Sequence, residues 1–89
     1  MTDTTPTLGP TVHATATDTG TVLLDERTGR YWQLNPTGAH ILQALLDGTT
    51  TADIAHALAE RHPGLTPEQA ERDVTALVDH LHTAKLVMP

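Results

Sequence analysis

The sequence predicts an α+β domain that is winged helix-turn-helix-like, with three short antiparallel N-terminal strands followed by three helices. Across residues 12–34, β-branched and other apolar residues alternate between turn signals, which favours strands. Three later segments repeat apolar residues at helical spacing, each behind a capping residue. A short turn at Pro63-Gly64 joins the last two helices in the manner of a helix-turn-helix.

Two turn signals divide the first part of this pattern into strands. Asp18-Thr19-Gly20 has the composition of a tight turn. The polar loop 26–29 ends in Gly29, which tolerates the positive φ common at the last loop position of a hairpin. We therefore expect the second and third strands to pair antiparallel across this loop. The predicted strands are 12–16, 21–25 and 30–34.

Capping residues define the three predicted helices. Asn35 is a strong N-cap and is followed by proline, which suits the first helical position. Thr50 caps the second helix, and Thr66 with Gln69 has the spacing of a capping box for the third. Gly48 and Pro63-Gly64 end the first two helices, and Leu86 and Val87 are expected to fold back as an apolar tail. The buried stripes are predicted to be Ile41, Leu42, Leu45 and Leu46; Ile54, Ala55, Leu58 and Ala59; and Ala70, Val74, Leu77, Val78 and Leu81.

Length and composition limit the chain to one small domain. The 89 residues suit a single core, and the Thr- and Pro-rich segment 1–11 is expected to be a flexible tail, which leaves 12–89 as the domain. The absence of cysteine fits a cytoplasmic location. No apolar run approaches the ~20 residues that span a bilayer. A net charge of −6 also opposes binding to anionic membranes.

The residues that usually carry catalysis are missing. Serine and cysteine are both absent, so the common nucleophiles are excluded, and the many threonines fall at caps, turns and strands. The six histidines include no pair at i, i+4, the spacing that places two zinc ligands on one helical face. We therefore predict that the chain is not an enzyme and holds no cofactor and no metal.

DNA binding is the main alternative, because helix-turn-helix domains commonly read DNA. The third predicted helix would be the recognition helix, but its charge opposes phosphate contacts. A winged-helix regulator would need a dimer that uses Arg27, Arg30 and Arg61 as a basic patch. We expect no nucleic-acid binding. The charged residues of that helix are Glu68, Glu71, Asp73 and Asp79 against Arg72 alone.

One segment of the chain resembles a known family. Residues 23–38 read LLDERTGRYWQLNPTG, and this resembles the PqqD-like family. The match continues through the first apolar helix, its Asp47-Gly48 stop and the Thr-x-x-Asp-Ile start of the next helix, so it covers roughly 22–87. The resemblance implies a recognition element (RRE) for ribosomally synthesised and post-translationally modified peptides. Within this family, the chain is most similar to the discrete leader-binding protein of lasso-peptide biosynthesis. A peptide chaperone of the pyrroloquinoline quinone pathway is the main alternative within the family.

The resemblance also implies a binding mode and partners. The leader of a precursor peptide would add as a β-strand beside the third predicted strand and lie against the third helix. The leader would then pass to a leader peptidase of the cysteine-protease type, and a cyclase could follow. The chain itself would be a monomer or a weak homodimer. Carried onto this sequence, the leader-binding residues are Arg30, Tyr31, Trp32, Gln33, Leu34, Asp73, Val74, Leu77, Val78 and Leu81.

Alternation along the third strand leaves two roles open for its aromatic residues. Leu34 precedes the Asn35 cap and is expected to pack inward, and Trp32 shares its face. Tyr31 then faces outward. One aromatic residue belongs to the core and one can line the groove, and the pattern does not decide which is which. The apolar stripe of the third helix is likewise open to two interpretations, as core or as groove wall.

Overall fold

The structure is a computed structural model that describes residues 6–88. Three strands form one antiparallel sheet in the order β2–β3–β4, and the short strands β1 and β5 pair with each other. The three helices follow the sheet along the chain. The bounds are β1 Thr7–Leu8, β2 Val12–Thr17, β3 Gly20–Asp25, β4 Arg30–Leu34, α1 Pro36–Leu46, α2 Thr51–Arg61, α3 Pro67–Thr83 and β5 Val87–Met88. The predicted α+β class and the order of its main elements are confirmed.

The predicted helix caps are present as hydrogen bonds. The Asn35 Oδ1 atom accepts a bond from the Gly38 N–H at 2.7 Å, which satisfies one free donor of the first turn of α1. The Thr66 hydroxyl and the Gln69 side chain each accept the other residue's N–H, at 3.1 and 3.0 Å, so the capping box of α3 is complete. The start of each helix is therefore fixed by its local sequence.

The core lies between one face of the sheet and the three helices. Leu23, at the centre of β3, is fully buried. The helices contribute one buried stripe each, as their apolar spacing predicts. The buried apolar residues are Val12, Leu23, Ile41, Leu42, Leu45, Ile54, Ala55, Leu58, Ala70, Val74, Leu81, Leu86 and Val87.

The two ends of the described chain are joined by a small ladder that the sequence did not predict. Leu8 pairs with Val87, and the Gly9 N–H donates to the Leu86 carbonyl at 2.9 Å. Leu86 and Val87 fold back and are buried, as expected. Thr7–Leu8 lies inside the segment 1–11 that was expected to be a tail, and both residues pair with β5. Residues 1–5 of that segment lie outside the described residues.

Lys85 adopts a left-handed backbone conformation at the end of α3. Its φ is 60°, the only positive φ among the described non-glycine residues. The turn is closed by the Leu86 N–H, which donates to the Leu81 carbonyl at 2.9 Å. Glycine is the usual residue at such a helix end because it has no Cβ to strain the turn. Lys85 therefore holds its side chain in place at a conformational cost.

We predict that Lys85→Gly raises the free energy of unfolding by about 0.5–1 kcal/mol, because it removes this strain. Urea unfolding followed by circular dichroism measures the change. Ala76→Gly, on the exposed side of α3, is the matched control and should lower stability by about 1 kcal/mol, since its backbone is helical. A loss of stability in Lys85→Gly would contradict the claim that the backbone of Lys85 is strained.

Asp25 is the one buried charged residue among those described, and it organises the β3–β4 loop. Its Oδ1 atom accepts a bond from the Thr11 hydroxyl at 2.7 Å and from the Arg27 N–H at 3.0 Å. The Thr11 hydrogen bond is the main cause that lowers the pKa of the Asp25 carboxyl, against a smaller upward effect of burial. The ionised form is therefore the one that stabilises the fold.

We predict that Thr11→Val destabilises the protein in a pH-dependent way. The folded-state pKa of Asp25 is lowered, so its contribution is present at neutral pH and is lost as the pH falls below about 4. The stability difference from the wild type should therefore shrink between pH 7 and pH 3. Thr15→Val, at an exposed position of β2, should show no such pH dependence. A pH-independent loss for Thr11→Val would contradict this role of Asp25.

Candidate functional site

β4 lies at an edge of the sheet. In the three-stranded order β2–β3–β4, its only strand partner among residues 6–88 is β3. An edge strand presents unpaired N–H and C=O groups along its outer side. β4 is therefore, with β2, one of the two edges where an extended segment could join the sheet, and it is the strand that was expected to do so.

The hydrogen-bond phase decides which β4 residues carry the unpaired groups. The Glu26 N–H donates to the Thr11 carbonyl at 2.9 Å, directly beside the Val12–Asp25 pair. Bonded and non-bonded pairs alternate in an antiparallel ladder. The main-chain groups of Asp25 therefore point away from β2 and toward β4, and its carbonyl accepts a bond from the Gly29 N–H at 2.8 Å.

Two residues further along β4, the same alternation makes Leu23 and Trp32 a bonded pair. The main-chain groups of Tyr31 and Gln33 consequently face the open edge. Each of these two residues offers one N–H donor and one C=O acceptor. The edge thus presents four main-chain groups, spaced as a strand partner requires.

The two aromatic residues of β4 lie on opposite faces of the sheet. Tyr31 is 67% exposed on the outer face, beside its cross-strand neighbour Leu24. Trp32 and Leu34 are half-buried and pack against the core. The inward position of Trp32 and the outward position of Tyr31 agree with the alternation predicted from the sequence. Trp32 is therefore the aromatic residue on the side of the helices.

α1 forms the floor between β4 and α3. β4 packs mainly on β3 and α1, whereas α3 packs on α2, α1 and β5. The two elements predicted to hold a peptide are therefore held apart by a helix that both contact. A peptide bound between β4 and α3 would therefore lie over α1.

The apolar stripe of α3 is divided between core and wall. Val74 and Leu81 are fully buried, so their side chains belong to the core. Leu77 and Val78 are only partly buried, and Asp73 is exposed. The surface that α3 offers to a ligand is therefore narrower than the predicted stripe. Arg30 and Gln33 are exposed on β4.

An apolar cavity of about 540 Å³ lies beside Asp73, between α1, α2 and the α2–α3 loop. Its walls come largely from residues that sequence reasoning did not assign to the site. The sequence does contain one signal for this cavity, because Leu65 is an apolar residue inside a polar turn. The lining residues are Thr37, Ile41, Leu58, His62, Pro63, Gly64, Leu65 and Asp73.

The described residues show no feature of a metal centre or a membrane anchor. No three His, Asp or Glu side chains within residues 6–88 are grouped so that they could hold a metal ion. None of the described helices is long and apolar enough to cross a bilayer. The histidine contacts are two exposed pairs, His13 with Glu26 at 3.1 Å and His56 with Glu60 at 3.2 Å.

An open sheet edge above a helical floor defines a class of small α+β domains that includes known peptide-binding proteins. The family model described as coenzyme PQQ synthesis protein D (PqqD) matches residues 20–87. The chain therefore belongs to the PqqD family. No curated protein matches it.

Two solved structures share this fold. One is described as lasso peptide synthetase B1 complexed with the leader peptide. It is 42% identical, with a TM-score of 0.85, and the match covers 97% of this chain and 100% of that one. The other is described as TbiB1 in complex with the TbiA(beta) leader peptide. It is 25% identical, with a TM-score of 0.79, and the match covers 90% of this chain and 92% of that one.

The hydrogen-bond phase of β4 predicts opposite effects of proline at two neighbouring positions. Gln33→Pro removes an N–H that faces the open edge, so the free energy of unfolding should change by less than about 1 kcal/mol. Trp32→Pro removes a ladder donor and a packed side chain, and should cost about 3 kcal/mol or more. Urea unfolding of both variants measures this difference. Equal losses would contradict the derived phase.

Proposed function

We propose that this protein is a non-catalytic adaptor that binds the leader segment of a ribosomally synthesised precursor peptide. The leader adds as a strand to the open edge of β4 and lies over α1 against α3. The unpaired main-chain groups of Tyr31 and Gln33 carry this proposal. Main-chain bonds along an edge hold an extended peptide with little dependence on its side chains.

The side chains beside this edge supply the selectivity. Peptide residues opposite Tyr31 and Gln33 bond to the edge and direct their side chains outward, as those two residues do. The peptide residue opposite Trp32 directs its side chain into the groove, toward Leu77 and Val78. A leader with apolar residues at alternate positions fits this arrangement. Arg30, Leu34 and Asp73 lie at the ends and rim, while buried Val74 and Leu81 support the wall.

The structural relatives support a leader peptide as the ligand. Both solved structures are described as complexes with leader peptides, and the first is 42% identical over nearly the whole chain. That relative favours a lasso peptide as the product. The adaptor would then deliver the precursor to a separate leader peptidase of the cysteine-protease type, and a cyclase would act on the released core. Holding precursor and enzyme together raises their effective concentration without chemistry by the adaptor itself.

The two alternative functions differ in what supports them. A peptide chaperone of the pyrroloquinoline quinone pathway has the support of the family's description. It would use the same edge, with a different leader. A winged-helix regulator would present α3 to DNA, but the outer face of α3 carries Glu68, Glu71 and Asp79 around Arg72. These carboxylates oppose phosphate contacts.

We expect the leader encoded beside this gene, labelled with a fluorophore, to bind in a polarisation titration. Gln33→Pro should weaken binding at least tenfold, because it removes an edge donor and obstructs the incoming strand. Gln33→Ala keeps the N–H and should stay within about threefold of the wild type. No binding at tens of micromolar by the wild type would contradict the proposed function. Equal binding by Gln33→Pro and Gln33→Ala would contradict strand addition at β4, but it would leave leader binding itself intact.

The wall of the groove is tested by a pair of variants on α3. Leu77→Glu places a charge at the partly buried wall and should reduce leader affinity at least tenfold. Ala76→Glu places the same charge on the exposed outer face, where it should have little effect. Thermal unfolding confirms that each variant is folded, and Leu77→Ala serves if Leu77→Glu is not. Normal binding by a folded Leu77 variant would show that α3 is not the wall.

A further inference from the structure

The few cations of this acidic chain converge at one end of β4. Only five residues are Lys or Arg, against a net charge of −6. Arg27 and Lys85 line the same cavity, of about 260 Å³, where the β3–β4 loop meets the end of α3. Arg30 begins β4 and pairs across the ladder with Asp25, which lines this cavity as well. Two of the five cations therefore line this cavity, and a third, Arg30, begins the adjoining strand.

The carboxylates near this cavity are already engaged. Asp25 is buried and accepts bonds from the Thr11 hydroxyl and the Arg27 N–H. Glu26 lies 3.1 Å from His13 Nε2. No Arg or Lys side chain among the described residues lies within 4 Å of a carboxylate. The charge of Arg27 helps to lower the pKa of Asp25, but neither Arg27 nor Lys85 forms a direct ion pair with a carboxylate of the described residues.

Lys85 supplies the second observation. It holds a left-handed conformation that glycine would adopt without strain. Its position is also fixed, because a Cβ on Gly9 would lie 2.9 Å from the Lys85 carbonyl oxygen. The neighbouring Met88 is 45% exposed and adds an apolar contact surface to the cavity. Lys85 therefore brings a long cationic side chain to the cavity at a conformational cost.

We propose that Arg27 and Lys85, with Arg30 beside them, form a carboxylate-binding corner that takes an acidic side chain of the bound leader. The inference rests on the proposed function, since Asp25, which lines the cavity, pairs with Arg30 at the N-terminal end of β4. An edge strand accepts a peptide in either direction, because both directions satisfy the main-chain groups. A charge contact at one end of the edge selects one direction. The ligand class is thus an extended segment with Asp or Glu near the end that meets Arg30.

The test uses the labelled leader with the full-length protein at 50 and 500 mM salt. Arg27→Gln and Lys85→Gln should each weaken binding by up to about fivefold, and the double variant by about twentyfold at low salt. The double variant should also lose most of the salt dependence. Arg72→Gln, on the exposed outer face of α3, is the matched control and should bind like the wild type.

A peptide scan identifies the partner charge. The leader's acidic residues are replaced one at a time with Asn or Gln. For one of these peptides, the loss of affinity should not add to the loss caused by the double variant.

Lys85→Gly should bind the leader more weakly than the wild type even though it is more stable, which separates binding from folding. Wild-type affinity and salt dependence in a folded double variant would overturn the corner and leave the proposed function intact. An effect seen only when the peptidase is added would overturn it too, and would assign the corner to the enzyme. Failure of the wild type to bind would instead contradict the proposed function.

Discussion

The hydrogen-bond phase of the β3–β4 pair is the constraint on which the rest of the structure depends. It places the main chain of Leu23 and Trp32 inside the ladder and their side chains toward the helices. It leaves the main chain of Tyr31 and Gln33 at the open edge. A slip of one residue would reverse both assignments at once, because side chains alternate with a period of two. Burial of the core and presentation of the edge therefore have a single cause.

The junction between β4 and α1 fixes where the helix begins relative to the strand. Asn35 both ends the strand and caps the helix, so the edge and its floor meet at one residue. Gly38 is buried in the first turn, where a Cβ would lie 3.3 Å from Asn35 Oδ1 and 3.4 Å from Leu34 Cβ. The absence of a side chain at Gly38 lets the helix turn closely beneath the strand. The close approach of α1 to the end of β4 is thus set by the local chemistry of Asn35 and Gly38.

Much of this arrangement could be predicted from the sequence, because its signals are local. Caps at Asn35 and Thr66 mark helix starts, and the inward position of Leu34 sets the alternation that separates Trp32 from Tyr31. The β1–β5 ladder could not be predicted, since two-residue strands have no periodicity and their pairing depends on distant segments that meet. The division of the α3 stripe into buried Val74 and partly exposed Leu77 also required the packed structure. An apolar spacing identifies a face, but it does not show which neighbours cover it.

The open edge alone cannot explain how a peptide would be held in one direction and register. Its donors and acceptors repeat along the strand, so main-chain bonding is satisfied by several registers and by both directions. Two sets of side chains, in contrast, differ in chemistry. Asp73 borders an apolar cavity beside α1 and α2, and Arg27 and Lys85 border a smaller cavity near the β3–β4 loop. In the proposed binding mode, a segment that contacted both sets of side chains would have one direction and one register, so these side chains would supply the information that the edge lacks.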